Sequence, residues 1–174
     1  MAWSTLPFGK HKGKTLPQIV FADPDWFFWA IEENVFKGPL RREAETVDAR
    51  ARAIRIPNNT AGNLEAEYLL HPPTGKFGNM EIVPASRPLH QGASPAFRKD
   101  VIDLSVPRNI APYDKLGCRT LVASAKYVLF GSTSTRMPRS DARRFSITQR
   151  ISRYETAPER GLSYRHTPLR IVGG

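Results

Sequence analysis

Residues 8–15 read FGKHKGKT, with lysines at alternate positions 10, 12 and 14, glycines at 9 and 13, and a histidine between them. Ammonium groups and glycine-freed backbone N–H groups both attract anions, so these residue types suit a phosphate contact. A nucleotide-binding loop has the arrangement G-x-x-x-x-G-K-[ST], in which the backbone wraps a phosphate before a helix begins. Gly13, Lys14 and Thr15 match its end, but position 8 is Phe, and Gly9 comes one residue late. MAWSTLP is a poor buried strand to precede such a loop, and the strong helix start at Asp23 lies eight residues downstream. These failures argue against nucleotide binding and leave a backbone contact to a polyanion, or a solvated basic turn. Gly9 and Gly13 permit positive φ. Lys10, Lys12 and Lys14 have strand-like spacing and should project from one face, with His11 and Gly13 on the other. Phe8, Leu16 and Ile19 are expected to anchor the turn against Trp26 and Trp29.

The formal net charge of +10 is unevenly distributed. Residues 1–80 carry ten Lys/Arg against nine Asp/Glu, whereas residues 81–174 carry sixteen against seven. Between Arg136 and Arg170 there are nine arginines, three acids and no lysine. Arginine's planar fork pairs bidentately with phosphate and stacks on bases, so this end is expected to meet a polyanion. Arg136, Arg139, Arg143, Arg144, Arg150 and Arg153 are its candidate backbone contacts. Phe145, Tyr154 and Tyr164 are candidate base-stacking residues. An acidic protein partner is the alternative for the same charge.

Catalytic constellations are absent from the pattern. Asp23 and Asp25 suit a helix cap and first turn; Asp100 and Asp103 flank a short apolar run, without evident partners. Glu65 and Glu67 alternate on one face of a strand-like segment and read as solvated. A restriction-type nuclease needs an acid followed by Glu-x-Lys, and the nearest approach, Asp103 or Asp114 with Ser124-Ala125-Lys126, lacks the second carboxylate. His11, His71, His90 and His166 make no zinc-like pair with each other or with Cys118. No metal site, cofactor or catalytic residue is assigned. Cys118 beside Arg119 reads as a buried structural cysteine. The lone cysteine, the absence of an apolar run near ~18 residues and the lack of a signal-peptide core lead to the expectation of a soluble cytoplasmic protein, with no membrane partner.

The elements that would carry these residues are punctuated by Pro, Gly and Asp. Asp23 as N-cap, Pro24 at the first position and Gly38 as stop predict a helix over about 24–36, with Phe27, Ala30, Ile31 and Val35 on its apolar stripe. Pro39 opens a second helix whose narrow face is Leu40, Ala44, Val47, Ala51 and Ile54. Leu64–Leu70 and Phe77–Val83 read as a hairpin with a long loop. Residues 84–97 are proline-rich and read as irregular surface chain. The segment 100–106 reads as a further strand. From Pro112 to Gly131 a helix is expected, with Leu116, Thr120, Ala123, Tyr127 and Phe130 sharing a face; the run YVLF keeps a strand open for its second half. A basic amphipathic helix from Ser140 through Arg153 is expected beyond a Ser/Thr hinge.

The stretch Pro7, Phe8, Gly9, Lys10, His11, Lys12, Gly13, Lys14 and Leu16, followed by Asp23-Pro24-Asp25-Trp26-Phe27 and Trp29, resembles the small C-terminal module of exodeoxyribonuclease X-like proteins. That module also occurs as a stand-alone domain in bacterial and phage proteins. The resemblance covers about residues 6–37 and implies a compact nucleic-acid-associated module without catalysis of its own. The family's metal-binding acids lie in a separate domain that begins with an Asp-x-Glu strand, and no such strand occurs here.

The sequence therefore leads to an α+β protein. Residues 1–38 form a turn–helix module, 39–135 a mixed region with an antiparallel hairpin or sheet and two or three helices, and 136–174 an Arg-rich segment. The expected function is non-catalytic binding of DNA or RNA, as an accessory subunit of a processing complex in a bacterium or mobile element. A small nuclease and an interaction protein docking an acidic partner are the alternatives.

Overall fold

The computed structural model describes residues 3–135; the arginines and aromatics assigned from Arg136 onward, and the helix expected from Ser140, lie outside them. The described residues form an α+β fold. In chain order these are α1 (Leu16–Val20), α2 (Pro24–Glu32), α3 (Gly38–Ala51), β1 (Ile54–Arg55), β2 (Leu64–Leu70), β3 (Phe77–Pro84), β4 (Ala96–Lys99), β5 (Val101–Ile102), α4 (Val106–Ile110) and α5 (Lys115–Phe130).

Two helix starts follow their caps. The Asp23 carboxylate accepts from the Trp26 N–H at the start of α2, and Asp114 accepts from the Gly117 N–H at the start of α5. The second helix α2 is shorter than its apolar pattern predicts. Asn34 takes a left-handed conformation (φ 52°), the Val35 N–H returns to the Ala30 carbonyl, and the Asn34 N–H returns to Ile31. This paired return is a Schellman stop, which asparagine supports almost as well as glycine. Gly38, expected to close α2, instead opens α3 at φ 56°. The face of α3 buries Ala44, Val47 and Ala51, while Ile54 has already passed into β1.

The hairpin forms as expected. Strand β2 lies at the centre of an antiparallel sheet of order β3–β2–β4, and β1 pairs with β5 as a separate two-stranded ribbon. The proline-rich stretch contributes β4 at its end, paired with β2 from Ala96 onward. The strand expected over 100–106 is only the two residues of β5. Asp103 and Ser105 turn the chain there, and α4 follows with Pro107 in its first turn. Pro107 lacks the N–H a longer ladder would need.

The two faces of the sheet bury different chemistry. Tyr68 stacks on Phe97 at 5.1 Å and sinks into the core, with its hydroxyl 3.3 Å from the Val101 carbonyl and 2.7 Å from the Asp103 N–H. Glu67 points the other way and is also buried, which corrects its reading as solvated. Arg98, directly opposite on β4, grips it at 2.6 Å, reaches Glu65 at 3.4 Å and donates to the carbonyls of Arg87 and Pro88. The strand partner neutralises the acid, and the same guanidinium straps the 85–88 loop to the sheet. Asp103, expected without partners, is likewise buried and bound by Lys99 and Ser105.

One apolar cluster runs from Leu6 to Ala125. Helix α1 packs on α2 and α3, and α2 packs on α5, so residues 6–37 share their core with the chain that follows.

Candidate nucleic-acid interface

The lysine-rich loop is a closed turn rather than a strand. Thr5 bridges Thr15 in antiparallel fashion, the Leu6 N–H bonds the Lys14 carbonyl, and the Gly13 N–H bonds the Leu6 carbonyl. Residues between them fold through tight turns, for which Gly9 and Gly13 adopt positive φ of 66° and 81°. Leu6 is the apolar anchor, buried together with Leu16 and Ile19. Phe8, expected in that role, is 39% exposed on the outer side of the turn.

Helix α1 begins immediately after Lys14-Thr15, so the expectation that no helix starts before Asp23 is corrected. Gln18 reaches back to the Thr15 N–H at 3.0 Å and its hydroxyl at 3.3 Å. This local capping box nucleates a five-residue helix that the apolar pattern was too short to announce. The correction does not restore a nucleotide loop. Thr15 is buried with its hydroxyl turned to Gln18, residue 8 is still Phe, and only an isolated bridge precedes the turn.

Beneath the lysines, His11 is 6% exposed and lies edge-on to Trp26 at 4.9 Å. Its Nε2 is 3.0 Å from the Asp23 carboxylate, which can only accept, so Nε2 carries the proton. Nδ1 is buried with no hydrogen-bond partner among the described residues. Burial lowers the His11 pKa, with nearby Lys14 and Lys10 adding to the effect, against the opposing pull of Asp23. Burial also works to raise the Asp23 pKa, but hydrogen bonds from Lys10 and His11 outweigh it and hold the carboxyl below its ordinary value.

The histidine gives the turn a pH response of known sign. Unfolded chain takes up a proton near pH 6.5, while the folded turn resists it because a second ring N–H would be buried without an acceptor. Stability contributed by neutral His11 is therefore present above 6.5 and lost as pH falls through that value. A falling thermal midpoint between about pH 7 and about pH 5 is expected, and His11→Gln should flatten that part of the profile. Circular dichroism melts of both proteins across the range check it; equal slopes would contradict the assignment.

The structure separates the three lysines. Lys10 sits 2.6 Å from Asp23 and is largely neutralised by it. Lys12 and Lys14 are exposed and make no ion pair among the described residues. Phe8 stands exposed on the same turn, a position that sequence spacing had assigned to packing. The His11–Asp23 pair was also not foreseen; its only signal was a histidine in a glycine-flanked turn upstream of a capping Asp.

Elsewhere the acids serve structure. Arg108 binds Asp25 at 3.3 Å and Glu32 at 2.7 Å, tying α4 to α2. Ser124, Ala125 and Lys126 lie within helix α5, so they cannot act as the second strand of a restriction-type centre. Burial, followed by the nearby Asp25 and Asp114 carboxylates, pushes the Cys118 thiol up to about 12, which removes it as a nucleophile. Among the described residues no group of three His, Cys, Asp or Glu is placed to hold a metal, and no helix is long and apolar enough to cross a membrane. No family model, no curated protein and no solved structure matches the chain.

Proposed function

We propose that this protein binds nucleic acid without catalysis, through backbone contacts from Lys12 and Lys14 and from the arginines between 136 and 170. The observation that carries the reading is the pair of exposed lysines with no ion-pair partner among the described residues, on a turn fixed by Leu6 and by the His11–Asp23 hydrogen bond. A turn so held loses little entropy when its lysines meet phosphate. Lys10 contributes less, because Asp23 already occupies it. Phe8 offers a ring face beside the charges, the combination by which single strands are held without sequence preference. The resemblance of residues 6–37 to the exodeoxyribonuclease X-like module points in the same direction, towards a part in a DNA- or RNA-processing complex.

Fluorescence anisotropy of the full chain with labelled oligo-dT and with duplex DNA, across a salt series, tests the reading. Affinity should fall steeply with salt, and K12E/K14E should weaken it about tenfold and flatten the log–log slope by about 1–2. Phe8→Ala should cost about 1–3 kcal/mol on the single strand and much less on the duplex. No binding, or binding indifferent to salt, overturns the proposal.

A further inference from the structure

Helix α5 turns towards solvent the face shared by Leu116, Thr120, Ala123, Tyr127 and Phe130. The core receives Gly117, Cys118, Leu121, Val122 and Ala125 instead. Leu116, Tyr127 and Phe130 remain 76%, 59% and 43% exposed, and the half-buried Thr120 and Ala123 lie between them on the same face. The stripe runs for about 21 Å, or four turns. Phe130 keeps one edge contact, to Phe21 at 6.3 Å. Isolated exposed apolar residues are ordinary on a surface, but an aligned row with small residues between large ones forms a saddle that accepts the side-chain ridge of another helix.

Charge narrows what can fill it. Helix α5 has no Asp or Glu, and its three cations, Lys115, Arg119 and Lys126, all lie along one flank of the stripe, about 60–100° from its centre. None of the three makes an ion pair among the described residues. A second copy packing antiparallel on the same face would bring the cation rows against each other, and one packing parallel would meet them with no acid, since α5 has none. The chain's own residues 136–170, with nine arginines against three acids, carry the same sign. Leu116, the most exposed residue of the stripe, has no ring to stack on a base, and oligo-dT and anionic vesicles are the competing occupants that the experiment below separates.

We infer that the exposed face of α5 is a docking site for an amphipathic helix of another protein, one bearing an apolar ridge flanked by acidic residues. Leu116 and Tyr127 grip the ridge on either side of Thr120 and Ala123, and Lys115, Arg119 and Lys126 pair with the acidic flank. The site shares no residue with the lysine turn, so the nucleic-acid reading and this one can fail independently.

The experiment titrates isotope-labelled full chain, followed by NMR, with a synthetic four-turn peptide carrying leucine on one face and glutamate on the other. Amide shifts should concentrate on 115–131, and a peptide with lysine in place of glutamate should bind at least tenfold more weakly. L116S/Y127S and, separately, K115E/R119E should each weaken binding at least tenfold; these four positions are exposed, and unchanged thermal midpoints would show the fold intact. Several results overturn the inference: no shifts on α5, equal binding of the two peptides, shifts of α5 by oligo-dT or anionic phosphatidylserine vesicles while the acidic peptide is inert, or a concentration-dependent dimer that L116S/Y127S dissolves.

Discussion

Arg98→Ala should destabilise the full chain by about 3–5 kcal/mol, the usual consequence of removing one partner from a buried ion pair. Glu67 is 1% exposed and Arg98 is its charge partner at 2.6 Å, so the substitution leaves a carboxylate in the sheet with no compensating cation. The carbonyls of Arg87 and Pro88 lose their donor at the same time, which frees the 85–88 loop. The size of the loss should depend on the stranded charge rather than on the missing bulk. Removing both charges with Glu67→Leu and Arg98→Met should therefore recover most of the stability, since matched apolar residues avoid the desolvation that the pair had to overcome. Urea unfolding of wild type, single and double variants checks this through their midpoints at constant m-value. A single variant as stable as the double one would mean that Glu67 finds another partner or becomes protonated.

Phe27→Ala should cost about 3–5 kcal/mol, as truncation of a fully buried aromatic does elsewhere. Phe27 meets Phe28 at 5.3 Å and Phe36 at 6.1 Å inside the cluster that extends to Ala125. The informative part is the shape of the transition. All three tryptophans, Trp3, Trp26 and Trp29, lie in the first 29 residues, so their fluorescence reports the N-terminal part alone, whereas circular dichroism reports every helix and strand. Because α1 and α2 share their core with α3 and α5, the two signals should shift together to the same lower midpoint. Separate midpoints would instead describe an N-terminal unit that unfolds by itself.

The sequence by itself determined the local elements, because their causes lie within a few residues. Asp23 and Pro24 start α2, Gly131 ends α5, and the runs on either side of HPPTGK pair as a hairpin. The turn at Gly9 and Gly13 was also legible, since only local positive φ is needed there. Where a second local signal was weaker than the apolar pattern, the boundary moved: Asn34 ended α2 early, and Gln18 started α1 unannounced.

Only the tertiary structure decided which charges are free and which faces are covered. Asp23 quenches Lys10 and holds His11 from 12 residues away, Arg98 finds Glu67 across 31, and Arg108 finds Asp25 across 83. Helix α5 shows the same limit most clearly. Both of its faces are apolar enough to be buried, and periodicity favoured the one with the larger side chains. The side rich in Gly117, Cys118 and Ala125 faces inward, because small residues let the helix lie close against β3 and α4. A period of 3.6 residues identifies a helix and its stripes, but the choice between two stripes belongs to the surfaces that pack against them.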